Sequence, residues 1–188
     1  MSQSYLAGVR ENLKQAHVTI DRYHVKQKLS EAIDTVRRAE AKEHKELLKN
    51  TRYLWLKRPT NLTVKQQDWL DQLLQQPLQT ARAYEWALKF DQFYELEADR
   101  AEEYLRRWID EVRATGIEPL IKFSETLEAH WDGVMRWHHS QVNNGLLEGL
   151  NSLIQAAKRR ARGYRTPRNY KTMIYLVAGK LQIGPHLA

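Results

Sequence analysis

Val25-Lys26-Gln27-Lys28-Leu29-Ser30-Glu31-Ala32-Ile33-Asp34-Thr35-Val36-Arg37-Arg38-Ala39 sets its apolar side chains at Val25, Leu29, Ala32, Ile33, Val36 and Ala39. Steps of three and four place these on one stripe of a helix, with most of the charges on the other side. The pattern predicts one long helix from about residue 25 to Asn50, before a break at Arg58-Pro59-Thr60-Asn61. The helical period continues downstream. Thr63 with Gln66 fits a capping box opening a helix that carries Trp69, Leu70, Leu73 and Leu74 and stops before Pro77. Further helices are expected over 78–96, over 98–114 with Gly116 as C-cap, from Pro119 to about His138, over 145–162 closed by Gly163, and over 167–180 with Pro167 in its permitted first turn. Upstream, residues 3–14 read as a short helix. His17-Val18-Thr19-Ile20 is brief and β-branched and reads as a strand. A lone strand is not a stable element, so its sheet partners are expected elsewhere.

The chain has 188 residues, room for one ordinary domain or two small ones with a real core. It has no Cys, which excludes disulfides and Cys-ligated zinc and fits a cytoplasmic protein. No stretch approaches the roughly 18 apolar residues of a membrane span. Met1-Ser2-Gln3-Ser4-Tyr5 shows no basic-then-apolar signal pattern. There is no internal repeat, no Walker loop, no dinucleotide glycine motif and no Ser-His-Asp arrangement.

Charge is distributed unevenly. Residues 149–188 contain no acid and carry Lys158, Arg159, Arg160, Arg162, Arg165, Arg168, Lys171 and Lys180, a charge of +8 against a chain total of +7. The first 148 residues therefore sum to −1. Such asymmetry points to a polyanion, most commonly nucleic acid. The competing reading is a solubilising basic tail, against which stand the aromatic and apolar residues between the charges.

Two runs carry possible chemistry. In Asn143-Asn144-Gly145-Leu146-Leu147-Glu148-Gly149-Leu150-Asn151, helical spacing sets Leu147, Leu150, Ile154, Ala157 and Ala161 on an apolar stripe. Glu148, Asn151, Ser152, Gln155 and Lys158 fall on the polar one. Glu148 in the first turn is either an ordinary acid favoured by the helix dipole or a site carboxylate. Asp21-Arg22-Tyr23-His24 follows the expected strand. It is either a turn residue with a half-exposed His or a site element. His130, His138 and His139 lack an acid or Cys at ligand spacing and are read as surface or core residues. The six Trp recur at helical positions and are read as packing residues before base-stacking platforms.

Taken together, the runs resemble the ISL-three group of insertion-sequence transposases, whose class has an RNase H-like core and an Asp-Asp-Glu metal triad. The resemblance rests on Asp21/His24, on Asn144-Gly145/Glu148-Gly149/Asn151, and on Lys158-Arg159-Arg160/Gly163-Tyr164-Arg165, in matching order and spacing. It implies that Glu148 is the third acid of the triad and that Asp21, His24, Asn144, Gly145, Gly149 and Asn151 are signature residues outside it. The family's second Asp precedes a Met-Ser-x-x-Tyr run, and this chain begins with that run at Met1, so the first two acids are expected upstream of Met1.

The resemblance also implies a fold. This is a mainly α chain in which residues 1–24 are a remnant of the RNase H-like α/β core, 25–140 a helical insertion domain, and 141–188 core helices bearing the third acid and the basic segment. The implied function is DNA strand cleavage and transfer by metal-dependent phosphoryl transfer, with Mg2+ or Mn2+ in the complete enzyme. A fragment with one triad acid is expected to be inactive alone and to bind no metal, since magnesium needs several oxygen donors in near-octahedral geometry. The alternative is a non-catalytic helical DNA-binding or interaction module. Expected DNA contacts are Lys158, Arg159, Arg160, Arg162, Tyr164, Arg165, Arg168 and Lys171. Expected partners are transposon-end and target DNA, with a second copy of the chain as a further candidate, and no membrane.

Overall fold

The computed structural model describes residues 3–141 and 145–179, and the side chains of all of these except 3–6 and 146–147. The chain divides into two compact units, residues 1–142 and 143–188.

In the first unit, α1 (Gln3–Asn12) is followed by a turn and an irregular stretch and then α2 (Arg22–Glu40). Two short helices come next, α3 (Lys45–Leu48) and α4 (Arg52–Leu56), then a 3-10 turn at Pro59–Asn61 and α5 (Val64–Leu74). The unit is completed by α6 (Gln79–Phe93), α7 (Ala98–Ala114), α8 (Glu118–Ala129) and α9 (Trp131–Ser140). Helix α2 is central and packs against α4, α6 and α8, while α7 packs against α6, α8 and α9.

The apolar stripe of α2 is why it sits there. Val25, Leu29, Ala32, Ile33 and Val36 are all buried, and Ala39 alone of the six stays exposed at the helix end. The ring of Phe90 on α6 is the hub of the core. It meets Trp108 of α7 at 4.9 Å and Phe123 of α8 at 5.4 Å, both edge-on, the geometry favoured by ring quadrupoles. Trp108 satisfies its indole N–H on the Trp86 carbonyl at 3.1 Å.

Polar groups tie distant elements together. Leu78, the N-cap of α6, has no capping side chain. Glu40 from the end of α2 takes over, accepting from Gln79 N at 2.7 Å, Thr80 N at 2.9 Å and the Thr80 hydroxyl at 2.6 Å. A carboxylate at a helix N-terminus satisfies orphan N–H groups and complements the dipole. Asp34, buried on α2, accepts from Arg37 at 2.8 Å and reaches Arg52 of α4 at 3.6 Å. The capping box at Thr63 and Gln66 forms as the sequence predicts.

Three expectations are corrected. The remnant of an RNase H-like α/β core is absent: no strand occurs among the described residues. His17-Val18-Thr19-Ile20 is an irregular segment without a ladder partner among the described residues. Instead Ile20 N–H donates to the Gly133 carbonyl on α9 at 2.9 Å, and the Ile20 side chain is buried. Gly133 permits this, since a Cβ there would stand 3.0 Å from Ile20 Cγ1.

The long helix expected to reach Asn50 ends at Glu40, where the carboxylate turns to α6. The chain then folds through α3 and α4, and Asn50 adopts a left-handed φ of 60°. The helix expected from Pro119 to His138 is two helices, broken at His130 (φ −124°, ψ 25°), so that α8 lies on α2 and α9 on α7.

In the second unit, α10 (Gly145–Arg160) and α11 (Pro167–Ala178) pack against each other as a helical hairpin. Ile154 is buried and Leu150 and Ala157 are half-buried, following the expected stripe, whereas Ala161 is exposed. No helix of the described residues is long and apolar enough to cross a membrane.

Candidate nucleic-acid interface

The joint of the hairpin arises from two local sequence signals. At the end of α10, Arg162 N–H donates to the Arg159 carbonyl and Gly163 N–H to the Lys158 carbonyl, each at 3.0 Å. This paired pattern is a Schellman stop. The left-handed position in it is occupied by Arg162 (φ 53°), with Gly163 following at φ 95°. Helix α11 starts at Thr166, whose hydroxyl accepts from Asn169 N at 3.3 Å, with Pro167 in the first turn. Between them the rings of Tyr164 and Tyr170 meet at 5.5 Å, and Lys158 Nζ lies 5.5 Å from the centre of the Tyr170 ring.

Seven cations decorate this joint. Lys158, Arg159, Arg160, Arg162, Arg165, Arg168 and Lys171 are all exposed. Among the described residues none of them forms an ion pair. Tyr164 differs from the cations. It is half-buried, with its hydroxyl enclosed, so its ring serves the joint.

The signature residues are placed as follows. Asp21 is the N-cap of α2, accepting from Tyr23 N at 2.7 Å, and His24 N–H donates to the Asp21 carbonyl at 3.0 Å. The His24 ring is exposed, edge-on to Tyr23 at 5.7 Å. Glu148 is exposed in the first turn of α10, Gly149 has open space where a Cβ would be, and Asn151 is exposed. Gly145 begins α10, whereas Asn144 lies outside the described residues, as does Lys180. Among the described residues no three His, Asp or Glu side chains converge on a point that could hold a metal. One exposed carboxylate does not meet the donor requirement of magnesium, so these residues do not by themselves fit the metal site of an Asp-Asp-Glu enzyme.

Beside the N-terminus of α2 lies an aromatic cluster not apparent in the sequence. His138 on α9 packs edge-on against Phe93 at 4.6 Å and stacks on Tyr94 at 6.2 Å, with the Arg22 guanidinium 4.8 Å from the Tyr94 ring centre. Burial lowers the His138 pKa, the Leu96 carbonyl opposes this by hydrogen bonding, and neighbouring His139 lowers it further. Burial also raises the Tyr94 hydroxyl far above its ordinary value.

A charge total over 148 residues also hides a second cationic stretch. Residues 42–58 hold six Lys or Arg and two acids, balanced by the acid-rich 85–118 region. A shorter counting window reveals it.

Comparison with known proteins agrees with the ordered motifs. A family model described as transposase, of the ISL-three DDE type, matches residues 1–174. The transposase for insertion sequence element IS1001 of Bordetella parapertussis is 32% identical over 174 residues, covering 88% of this chain. The chain spans 43% of that relative's length. No solved structure matches. With ordered motifs, a family model over most of its length and a relative of this similarity, the chain belongs to the ISL-three family of DDE-type transposases.

Proposed function

We propose that this chain is a non-catalytic helical DNA-binding module of transposase descent, gripping the phosphate backbone through the α10–α11 joint. The observation that carries the reading is the set of seven exposed cations without a carboxylate partner among the described residues. Arg and Lys in this state release counterions from DNA on binding, which gives affinity that falls steeply with salt. Exposed cations do not by themselves imply base-edge readout, so the binding proposed is largely indifferent to sequence. In this reading residues 25–140 are an insertion domain, and Asp21 and His24 hold the start of α2 in place. Strand cleavage and transfer, to which Glu148 would bring a third acid, require carboxylates beyond the described set.

An anisotropy titration of a labelled duplex across salt tests the proposal. The expected affinity is in the roughly 10⁻⁴–10⁻⁶ M range of non-specific complexes at physiological salt. Arg159→Ala/Arg162→Ala is expected to weaken it and to reduce the salt slope by about two, roughly one per lost phosphate contact. Arg162→Gly separates charge from folding, because glycine suits the left-handed backbone that costs an L-residue roughly 1–2 kcal/mol. That variant is expected to be more stable and yet bind more weakly. Unchanged affinity and slope in the double variant overturn the proposal.

A further inference from the structure

A cavity of about 380 Å³ opens between α2, α4 and α6 in the first unit, a size within the range of small-molecule sites. Its walls include three aromatic side chains, Tyr23, Trp55 and Tyr84, together with apolar surface from Leu29, Ile33 and Leu88. Trp55 and Tyr84 are buried and meet edge-on at 5.6 Å. Yet Trp55 Nε1 and Tyr84 Oη have no hydrogen-bond partner among the described residues. Tyr23, by contrast, is 66% exposed.

The rim is cationic. Lys57 and Arg58 also line the cavity, both exposed and neither in an ion pair among the described residues. Lys26, on another part of the lining, is held by Asp91 at 2.7 Å. Lys57 and Arg58 end the cationic stretch 42–58.

A slot walled by aromatic and apolar side chains, with the exposed Tyr23 ring and two cations outside any ion pair among the described residues at its rim, matches one chemistry well: a planar heteroaromatic base joined to a phosphodiester. We infer that this cavity accepts a single unstacked nucleotide of a DNA strand. The base stacks on Tyr23 against the apolar wall, and the flanking phosphates lie on Lys57 and Arg58. Stacking on an aromatic ring tolerates any base, and an unpaired nucleotide costs least to extrude. The inference rests on the reading of the chain as a DNA binder, but it adds a second contact, in the other unit, selective for distorted over regular duplex.

Anisotropy titrations of the full chain with three labelled duplexes test it: a perfect duplex, one with a single extra adenine, and one with an extra abasic residue at the same place. The adenine bulge is expected to bind roughly tenfold more tightly than the abasic bulge, the usual size of one base–aromatic stack. Tyr23→Ala, at an exposed position, is expected to bring that ratio to about one while leaving the perfect duplex within about twofold.

Equal binding of the two bulges overturns the inference, as does a ratio that survives Tyr23→Ala. Tight saturation by free deoxyadenosine monophosphate, with no preference among the duplexes, assigns the cavity to a free nucleotide and overturns the strand-borne assignment. Arg159→Ala/Arg162→Ala is expected to weaken all three duplexes and to leave the ratio intact. Failure of that variant alone overturns the α10–α11 contact and not this one. A wild-type chain that binds none of the three overturns both.

Discussion

His138 shows what a single residue gains from its surroundings. An exposed histidine would titrate near its ordinary value with little effect on folding. Here Phe93, Tyr94 and Trp137 surround the ring, and Arg22 places a cation over the Tyr94 and Trp137 faces. Burial lowers its pKa in the folded state, so the unfolded chain binds the proton more readily. The stability held by the neutral ring is therefore complete above the unfolded value of about 6.5 and drains away as pH falls through the depressed folded value. The urea midpoint is expected to fall between pH 7.5 and 5.5, and His138→Phe is expected to flatten that fall, since it keeps a ring and removes the titration. A His138→Phe profile as steep as the wild type's assigns the acid sensitivity to other groups. The sequence placed His138 among surface or core residues, and the structure leaves it half-buried against aromatic side chains. Its aromatic partners come from α6 and α9, more than 40 residues apart, a pairing that spacing cannot reveal.

At the scale of the element, helix ends decide the architecture more than helix middles do. Glu40 closes α2 and opens α6 with the same carboxylate, joining segments 39 and 40 residues apart. Charge-assisted hydrogen bonds of this kind contribute about 1.5–3 kcal/mol. Glu40→Ala is expected to destabilise the first unit by about that amount in urea denaturation, and Glu40→Gln by less, since the amide oxygen keeps one acceptor. Thr80→Ala should destabilise in the Glu40 background and add little once Glu40→Ala is present, the signature of a shared contact. Additive effects of the two substitutions would sink this account. The local caps at Thr63, Gly116 and Thr166 belong to the other class: each uses residues within three or four positions. Those at Thr63 and Gly116 were readable in the sequence, while Glu40, a remote cap, was not.

At the scale of the molecule, the question is whether the chain can cut DNA. Glu148 is exposed at the start of α10, and the described residues hold no cluster for a divalent ion. Supercoiled plasmid incubated with the chain and magnesium or manganese is expected to stay supercoiled. Nicking that disappears in Glu148→Gln would overturn this and show that further donors complete a site around that carboxylate. The chain spans 43% of the IS1001 transposase, so the activity of a whole relative is not a property to carry over directly.

The sequence by itself determined the helical character, because a period of 3.6 with a buried stripe is written into positions such as Val25, Leu29 and Val36. It determined the basic hairpin as well, since a run of cations without acids needs no tertiary partner to be recognised. Family membership was equally legible in the ordered Asp21, Glu148 and Lys158–Arg165 motifs. Tertiary structure alone decided three matters. It made Val18-Thr19-Ile20 an irregular arm against Gly133 instead of a strand, because β-propensity yields a sheet only where a neighbouring edge is present. It broke two long helical patterns at Glu40 and His130, where packing of short segments on α2 and α7 outweighed the continuity of the pattern. It also brought Tyr23, Trp55 and Tyr84 to one cavity, since residues 61 positions apart become neighbours only when three helices pack around a common core.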